Sequence, residues 1–149
     1  MRILKLSLLL LFGFIMINQA QSLYDIQGAK IATKISPNQL NVTGSIFDLE
    51  NGKMIEVLNG ERREEQEINY TSRNGNQVEY YNAKDELIGY YIPSEKRYYR
   101  VDAKRSKDDH VALLYDGYVY TIDENPTFKV DEGFDPELIG NVLFFFLGY

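Results

Sequence analysis

Side chains that could perform catalysis are scarce in this sequence. Its 149 residues include no cysteine and one histidine, His110, which excludes thiolate nucleophiles, disulfides and metal sites made of paired histidines. The sequence also lacks the glycine-flanked serine of many hydrolases, a phosphate-binding glycine loop and the His-Glu-x-x-His zinc motif. We therefore expect a protein that is not an enzyme, with no catalytic residue, no metal and no cofactor.

Carboxylates keep an enzymatic alternative open. Asp108 and Asp109 precede His110, but neighbouring residues of a strand point to opposite faces, so the polar entry to a strand is the simpler explanation. Glycoside hydrolysis needs only two carboxylates roughly 5 to 10 Å apart, a distance that a sequence does not contain. The alternative function is a hydrolase or an inhibitor whose carboxylates converge only in the fold.

An acidic cluster near the C-terminus offers hard oxygen ligands of the kind that calcium prefers. It lacks the regularly spaced Asp and Gly residues of an EF-hand loop, so a solvated acidic loop explains it more simply. The cluster consists of Asp123, Glu124, Asp131, Glu132, Asp135 and Glu137.

Three adjacent tyrosine pairs are the most unusual pattern in the sequence. In a strand, the two members of a pair point to opposite faces of the sheet, so half of these rings are expected at the surface. An exposed tyrosine is a rigid apolar plane with a hydroxyl, which suits stacking on sugars or packing on a partner protein. The simpler explanation is that the rings pair across strands and stabilise a thin sheet. The predicted binding residues are Tyr80, Tyr81, Tyr90, Tyr91, Tyr98 and Tyr99 with the adjacent Arg97 and Arg100.

The charge distribution limits the partners of such a face. The formal net charge is −6, and a negative field repels phosphate backbones, so nucleic acid is not expected as a partner. One basic island could contact lipid phosphate or an acidic glycan, although a solvated strand and loop is the simpler account. The expected partner of the tyrosine face is a glycan, a peptide or a component of the cell envelope. The basic island comprises Lys96, Arg97, Arg100, Lys104, Arg105 and Lys107.

Turn dipeptides indicate the elements that must position these side chains. The dipeptides Asn51-Gly52, Asn59-Gly60, Asn74-Gly75 and Asp116-Gly117 favour tight turns between short strands. His110–Ile122 has the pattern of a hairpin around the last of them. The tyrosine pairs fall in a predicted three-stranded meander, and no segment has the apolar stripe of a surface helix. The strands of this meander are Val78–Asn82, Leu87–Ile92 and Arg97–Asp102.

Two further segments bear on the architecture, which we predict to be all-β and built of short antiparallel hairpins. Val142–Leu147 is an unbroken apolar run, too short to span a bilayer as a helix. It is predicted to be a strand that is buried on both faces and closes the core. Glu61–Glu67 is almost entirely charged and is expected to be a solvated loop or a strand end.

Export is predicted from the N-terminus. Two basic residues precede the apolar run Leu6–Ile17, and small or polar residues follow, which is the order of a signal peptide. The run is shorter than the roughly 20 residues of a spanning helix, so no transmembrane segment is expected after the leader is removed. Residues 1–20 are the predicted signal peptide, with cleavage after Ala20 or Ser22, and an uncleaved anchor is the alternative. Residues 21–149 are predicted to form one β-rich domain in the periplasm or outside the cell.

A weak repeat runs through the predicted mature chain: an aromatic residue, an acid or amide, a turn and an aliphatic return. It occurs at Tyr24-Asp25, Phe47-Asp48 and Tyr81-Asn82, and the tetrapeptide Glu-Leu-Ile-Gly occurs at 86–89 and at 137–140. Five hairpin-like units can be counted, although their spacing is irregular and ordinary β-hairpins have the same chemistry.

These motifs, together with the leader and the Phe-rich C-terminus, resemble the small secreted Bacteroidota proteins described as five-fold β-flower proteins. The resemblance extends over most of the predicted mature chain. It implies an exported protein of unestablished activity with a pseudo-symmetric all-β fold of five units, and it brings no catalytic residues. The charged segment Glu61–Glu67 and the irregular repeat length depart from the pattern and leave the number of units open.

Overall fold

Tight turns join the strands of this protein, whose computed structural model describes residues 20–64, 68–102, 104 and 108–149. At Asp116 and Gly117 the φ angles are 49° and 76°. These are the left-handed values of a type I′ turn, which matches the twist of the two strands it connects. Those strands, Asp109–Tyr115 and Tyr118–Thr121, pair antiparallel. The hairpin predicted at His110–Ile122 is therefore confirmed.

Within the described residues, thirteen strands pair antiparallel in one sheet, which confirms the expected all-β class. The strands are β1 (Ser22–Asp25), β2 (Lys30–Ser36), β3 (Gln39–Val42), β4 (Ser45–Glu50), β5 (Lys53–Leu58), β6 (Glu61–Arg62), β7 (Ile68–Asn74), β8 (Gln77–Tyr81), β9 (Leu87–Ile92), β10 (Arg97–Arg100), β11 (Asp109–Tyr115), β12 (Tyr118–Thr121) and β13 (Pro126–Val130). A short helix, α1 (Pro136–Asn141), follows β13 and continues into a π-helical turn at Val142–Phe146. The predicted meander corresponds to β8, β9 and β10.

Strands that are neighbours in the chain are mostly neighbours in the sheet. Two pairings depart from this rule: β1 pairs with β13, which places Leu23 opposite Val130, and β5 pairs with β7 as well as with β4 and β6. Since β6 and β7 share this partner, they lie end to end along β5. The charged segment begins with the exposed Glu61 and Arg62 of β6, and its residues 65–67 lie outside the described part of the chain.

One core cluster joins α1 and the π-helical turn to strands from every part of the sheet. Leu138, Ile139, Val142 and Leu143 are at most 2% exposed. They pack in the same cluster as apolar side chains of β1, β3, β5, β8 and β12. The helical segment therefore shares one core with the inner faces of these strands.

The prediction of a C-terminal strand is wrong. Val142–Leu147 is expected to be extended, but the chain is helical over Val142–Phe146. The reason is local: Asp135 accepts a hydrogen bond from the backbone nitrogen of Glu137 at 2.9 Å, and Pro136 occupies the first turn. A helix therefore begins before the apolar run and continues into it. The first three residues of the run are buried in the core cluster, whereas Phe145, Phe146 and Leu147 are partly buried and pack against it.

The described residues include no helix that is both long and apolar enough to cross a membrane. Residues 1–19 of the predicted leader lie outside the described residues.

Candidate functional site

The three tyrosine pairs divide between the two faces of the sheet, as the two-residue period of a strand predicts. Tyr80, Tyr91 and Tyr98 are 0%, 4% and 0% exposed, and the other member of each pair is partly exposed. We call the buried members, Tyr80, Tyr91 and Tyr98, the inner tyrosines. We call the partly exposed members, Tyr81, Tyr90 and Tyr99, the outer tyrosines. The inner tyrosines lie in the core and present no surface to a ligand, so a binding role for the pairs falls to the outer tyrosines.

The inner tyrosines anchor the meander to α1. The Tyr80 hydroxyl donates to the Glu137 carbonyl at 2.9 Å, and the Tyr98 hydroxyl donates to the Pro136 carbonyl at 2.8 Å. The rings of Tyr91 and Tyr98 stack with 4.5 Å between their centroids. Burial raises the pKa of Tyr98 well above its ordinary value, so its hydroxyl stays protonated and remains a donor.

On the outer face, four side chains stand in register across four strands. Glu79 of β8 lies opposite Tyr90 of β9, Tyr90 lies opposite Tyr99 of β10, and Tyr99 lies opposite His110 of β11. The Tyr90 and Tyr99 rings stack with 5.1 Å between centroids and 16° between planes, and the His110 ring is 5.6 Å from Tyr99 at 51°. We call Tyr90, Tyr99 and His110 the outward row. The remaining outer tyrosine, Tyr81, donates to Glu79 at 2.5 Å.

Carboxylates hold the hydroxyls of the outward row. The Tyr99 hydroxyl donates to Glu95 at 2.8 Å, and the Tyr90 hydroxyl is hydrogen-bonded to Asp108. Burial, followed by the bond to Asp108, raises the pKa of Tyr90 to about 12. Burial and the bond to Glu95 also raise the pKa of Tyr99, against the opposing effect of Arg97. Both phenols are therefore neutral and oriented near pH 7.

A shallow depression of about 430 Å³ opens beside the outward row. It brings together one guanidinium, two carboxylates, a phenol and an imidazole. His110 Nε2 lies 3.0 Å from the Ala112 carbonyl oxygen, and because a carbonyl only accepts, Nε2 carries a proton. In the neutral imidazole, Nδ1 is then an acceptor. The depression is lined by Arg97, Tyr99, Asp108, Asp109 and His110.

The two arginines of the predicted site are separated. Arg97 lines the depression. Arg100 instead donates from Nη1 to the Gly148 carbonyl at 3.3 Å, so its guanidinium contacts the C-terminal segment. Side chains of successive residues in β10 point to alternating faces of the sheet. Arg97 and Arg100 are three positions apart, so their side chains point to opposite faces. Of the basic island, Arg105 and Lys107 lie outside the described residues.

Asp108, Asp109 and His110 line one depression, although adjacent residues of a regular strand would point apart. Asp108 precedes β11, so strand alternation does not apply to it. The register between β10 and β11 also shifts between Tyr98 and Tyr99, where β11 contains one extra residue. A β-bulge of this kind redirects the side chains beside it. Asp109 and His110 begin β11, as the predicted polar strand entry requires, and no residue type in the sequence marks the bulge.

The acidic cluster does not form one site. Asp123 and Glu124 precede β13 and its other four members follow β13. Asp131 accepts a hydrogen bond from the Ser22 backbone nitrogen at 3.0 Å, and Asp135 caps α1. In the described part of the chain, no group of three or more histidines or acidic residues is placed to hold a metal ion.

No protein-family model, no curated protein and no solved structure matches this chain. The likeness to the five-fold β-flower proteins therefore stays a prediction based on the sequence motifs. Inferences about function depend on the geometry of the outward row and its depression.

Proposed function

We propose that this protein is an exported, non-catalytic binding protein whose outward row, together with Arg97, contacts a glycan, a peptide or a component of the cell envelope. The observation that carries the proposal is the stacked pair of partly exposed tyrosines, Tyr90 and Tyr99, beside a depression of mixed charge. Aromatic rings with hydroxyls are favoured at binding surfaces because they offer a large contact area and few rotatable bonds.

The hydrogen bonds of the row support this role. Because Glu95 and Asp108 hold the phenol hydroxyls of Tyr99 and Tyr90, the two rings are ordered before a ligand arrives. A preformed surface loses less side-chain entropy on binding than a mobile one, by about 0.5 to 1.5 kcal/mol for each side chain. The carboxylates of Glu95 and Asp108 thus position the two rings, a role that does not involve catalysis.

A hydrolytic function is the second candidate. Asp108 and Asp109 both line the depression with His110, and glycoside hydrolysis requires two carboxylates. It ranks below binding because Asp108 already accepts the Tyr90 hydroxyl. Release of reducing ends from an oligosaccharide, abolished by Asp109→Asn, would move hydrolysis to first place.

Export and the finer architecture belong to the same proposal. A signal peptide ending near residue 20 leaves a chain that begins beside β1 (Ser22–Asp25), and residues 21–149 then act as one domain. Support for one domain comes from the single core cluster, which spans residues from β1 to the π-helical turn. The five-fold arrangement of hairpin units stays a prediction from the sequence repeat.

An array of glycans and peptides tests the binding function. We expect the protein to be retained by one ligand class, and the variants Tyr90→Ala and Tyr99→Ala to lose that retention with little change in thermal midpoint. Tyr115→Ala is the matched control, because Tyr115 is 64% exposed and lies five residues from His110, about 17 Å along β11. Retention that survives both changes in the outward row would contradict the proposal.

A further inference from the structure

We infer that the depression beside the outward row is a subsite for an uncharged glycan, with one sugar ring resting against Tyr99 and its hydroxyls paired to Arg97, Asp109 and His110. The inference rests on the proposed binding function and specifies its ligand class. It follows from three properties of the same few residues: the presence of both charges, the available hydrogen-bonding atoms and the partly exposed aromatic ring.

The described groups that line the depression carry charges of both signs, so a charged ligand meets at least one group that repels it. A phosphate, sulfate or carboxylate would approach Asp108 and Asp109, whose formal charges repel it at close range. An ammonium or guanidinium would approach the carboxylates but would also meet Arg97 in the same depression. A neutral ligand with many hydroxyls avoids both penalties, since it can donate to a carboxylate and accept from a guanidinium at once.

The hydrogen-bonding atoms also match a polyhydroxyl ligand. Carboxylate oxygens of Asp109 accept hydrogen bonds, the Arg97 guanidinium donates them, and His110 Nδ1 accepts when the ring carries its proton on Nε2 alone. A sugar hydroxyl does both, so neighbouring hydroxyls on one ring can pair with an acceptor and a donor side by side. Bonds to ionised groups are roughly twice as strong as those between neutral groups, which favours a ligand whose hydroxyls reach both.

The rings supply the apolar contact. The Tyr90 and Tyr99 rings are nearly parallel with 5.1 Å between their centroids, and Tyr99 is partly exposed, so part of its ring can be reached from solvent. The His110 ring is tilted by 51° from Tyr99, so it does not lie flat on the Tyr99 ring. The C–H face of a sugar ring is apolar and flat enough to rest there while its hydroxyls turn toward the charged groups.

Calorimetric titration of the purified protein with hexasaccharides of matched length tests the inference. The neutral probes are cellohexaose, maltohexaose and chitohexaose. The fully deacetylated chitosan hexamer is the cationic counterpart of chitohexaose, and hexagalacturonate is the anionic probe. We expect at least one neutral probe to bind about tenfold or more tighter than both charged probes, and its affinity to be insensitive to added salt, because no ligand charge is screened.

Variants locate the site. Tyr99→Ala and Arg97→Gln should each weaken the neutral probe about tenfold or more, a change of about 1.4 kcal/mol in binding, while Tyr115→Ala leaves it unchanged. If a charged probe or an array peptide binds instead and Tyr99→Ala abolishes that binding, the inference of an uncharged glycan fails and the proposed binding function stands. If a neutral probe binds but Tyr99→Ala does not weaken it, the subsite is wrong. If neither the array nor any probe binds, both proposals fail together.

Discussion

The ring of Phe144 lies against Gly89, so closely that a Cβ atom on Gly89 would come within 2.5 Å of Phe144 Cζ and 2.8 Å of the Tyr99 carbonyl oxygen. Gly89 belongs to β9 and Phe144 to the π-helical turn. The contact therefore exists because one strand position has no side chain, and it fixes how closely the helical segment approaches the sheet.

Gly89→Ala should destabilise the fold. The added methyl overlaps the Phe144 ring and the backbone of β10, and overpacking of a core typically costs about 1 to 3 kcal/mol. Urea unfolding measures the loss. In the double variant Gly89→Ala/Phe144→Leu part of the loss should be recovered, since the smaller side chain removes one of the two clashes. Equal stability of the single variant and the parent would show that the ring can move away freely.

The two members of the Tyr98-Tyr99 pair should respond in opposite ways to truncation. Tyr98 is 0% exposed and bonded to the Pro136 carbonyl, so Tyr98→Ala should lower the free energy of unfolding by about 3 to 5 kcal/mol. Tyr99→Ala should cost much less, because its ring is partly exposed. Urea titrations of the two variants side by side provide the comparison. Similar losses for both would contradict the division of the pair between the faces.

Tyrosine ionisation should be delayed at high pH. The pKa of Tyr90 is raised to about 12, first by burial and then by the hydrogen bond to Asp108, while an unfolded tyrosine ionises near about 10. The unfolded chain thus loses this proton first. Stability is unaffected below about pH 10 and falls as the pH rises from about 10 to about 12.

Ultraviolet absorbance of tyrosinate follows this titration directly. Asp108→Ala should lower the pKa of Tyr90, because the hydrogen bond and the nearby negative charge are both removed, while the effect of burial remains. The circular dichroism of the variant serves as a control for its fold. If the parent and the variant give identical absorbance curves, Asp108 does not contribute to the raised pKa of Tyr90.

Asn141 should be a site where stability can be gained. It is 0% exposed, and neither polar atom of its side chain has a hydrogen-bond partner in the described part of the chain. A buried polar group without a partner costs about 1 to 3 kcal/mol. Asn141→Leu, which keeps a similar branched shape, should raise the urea midpoint, and Asn141→Asp should lower it strongly because it adds a buried charge. A fall with leucine would indicate that the amide has an essential partner.

The exported protein should begin at Gln21. Ser22 is 0% exposed; its backbone nitrogen donates to Asp131 at 3.0 Å and its hydroxyl lies 3.0 Å from that of Thr33. Cleavage after Ser22 would delete these contacts, whereas cleavage after Ala20 keeps them all. Mass spectrometry of the protein recovered outside the cytoplasm reads the terminus. A chain that begins at Leu23 would show that cleavage follows Ser22 and not Ala20. An intact chain that begins at Met1 and stays in the cytoplasm would contradict export.

Local patterns predicted much of the sheet. Asp116 and Gly117 tolerate left-handed backbone, so their turn could be recognised without knowing the rest of the fold. The alternation of Tyr98 and Tyr99 between faces follows from strand geometry alone. These features depend only on residues that are adjacent in the chain, so they can be predicted from the sequence.

Contacts between distant segments could not be predicted in this way. The tetrapeptide Glu-Leu-Ile-Gly places its last three residues in β9 at 87–89 and forms part of α1 at 137–140, so its conformation depends on what it packs against. The same limit applies to the site: the bulge that brings His110 beside Tyr99 arises from the register of two strands, and no single residue signals it. The sequence pattern likewise gives no sign of the interaction between Asp108 and Tyr90.

The pairing of β1 with β13 has a consequence for when the chain can fold. Ser22 and Asp131 are in contact although 109 residues separate them, and the core is incomplete without Leu143. A ribosome releases the N-terminal end first, so β1 has no final partner, and the core stays incomplete, until nearly all of the polypeptide has been made. Contacts of such long range also form slowly. The order of the strands therefore allows the sheet and its core to be completed only after almost the whole chain has left the ribosome.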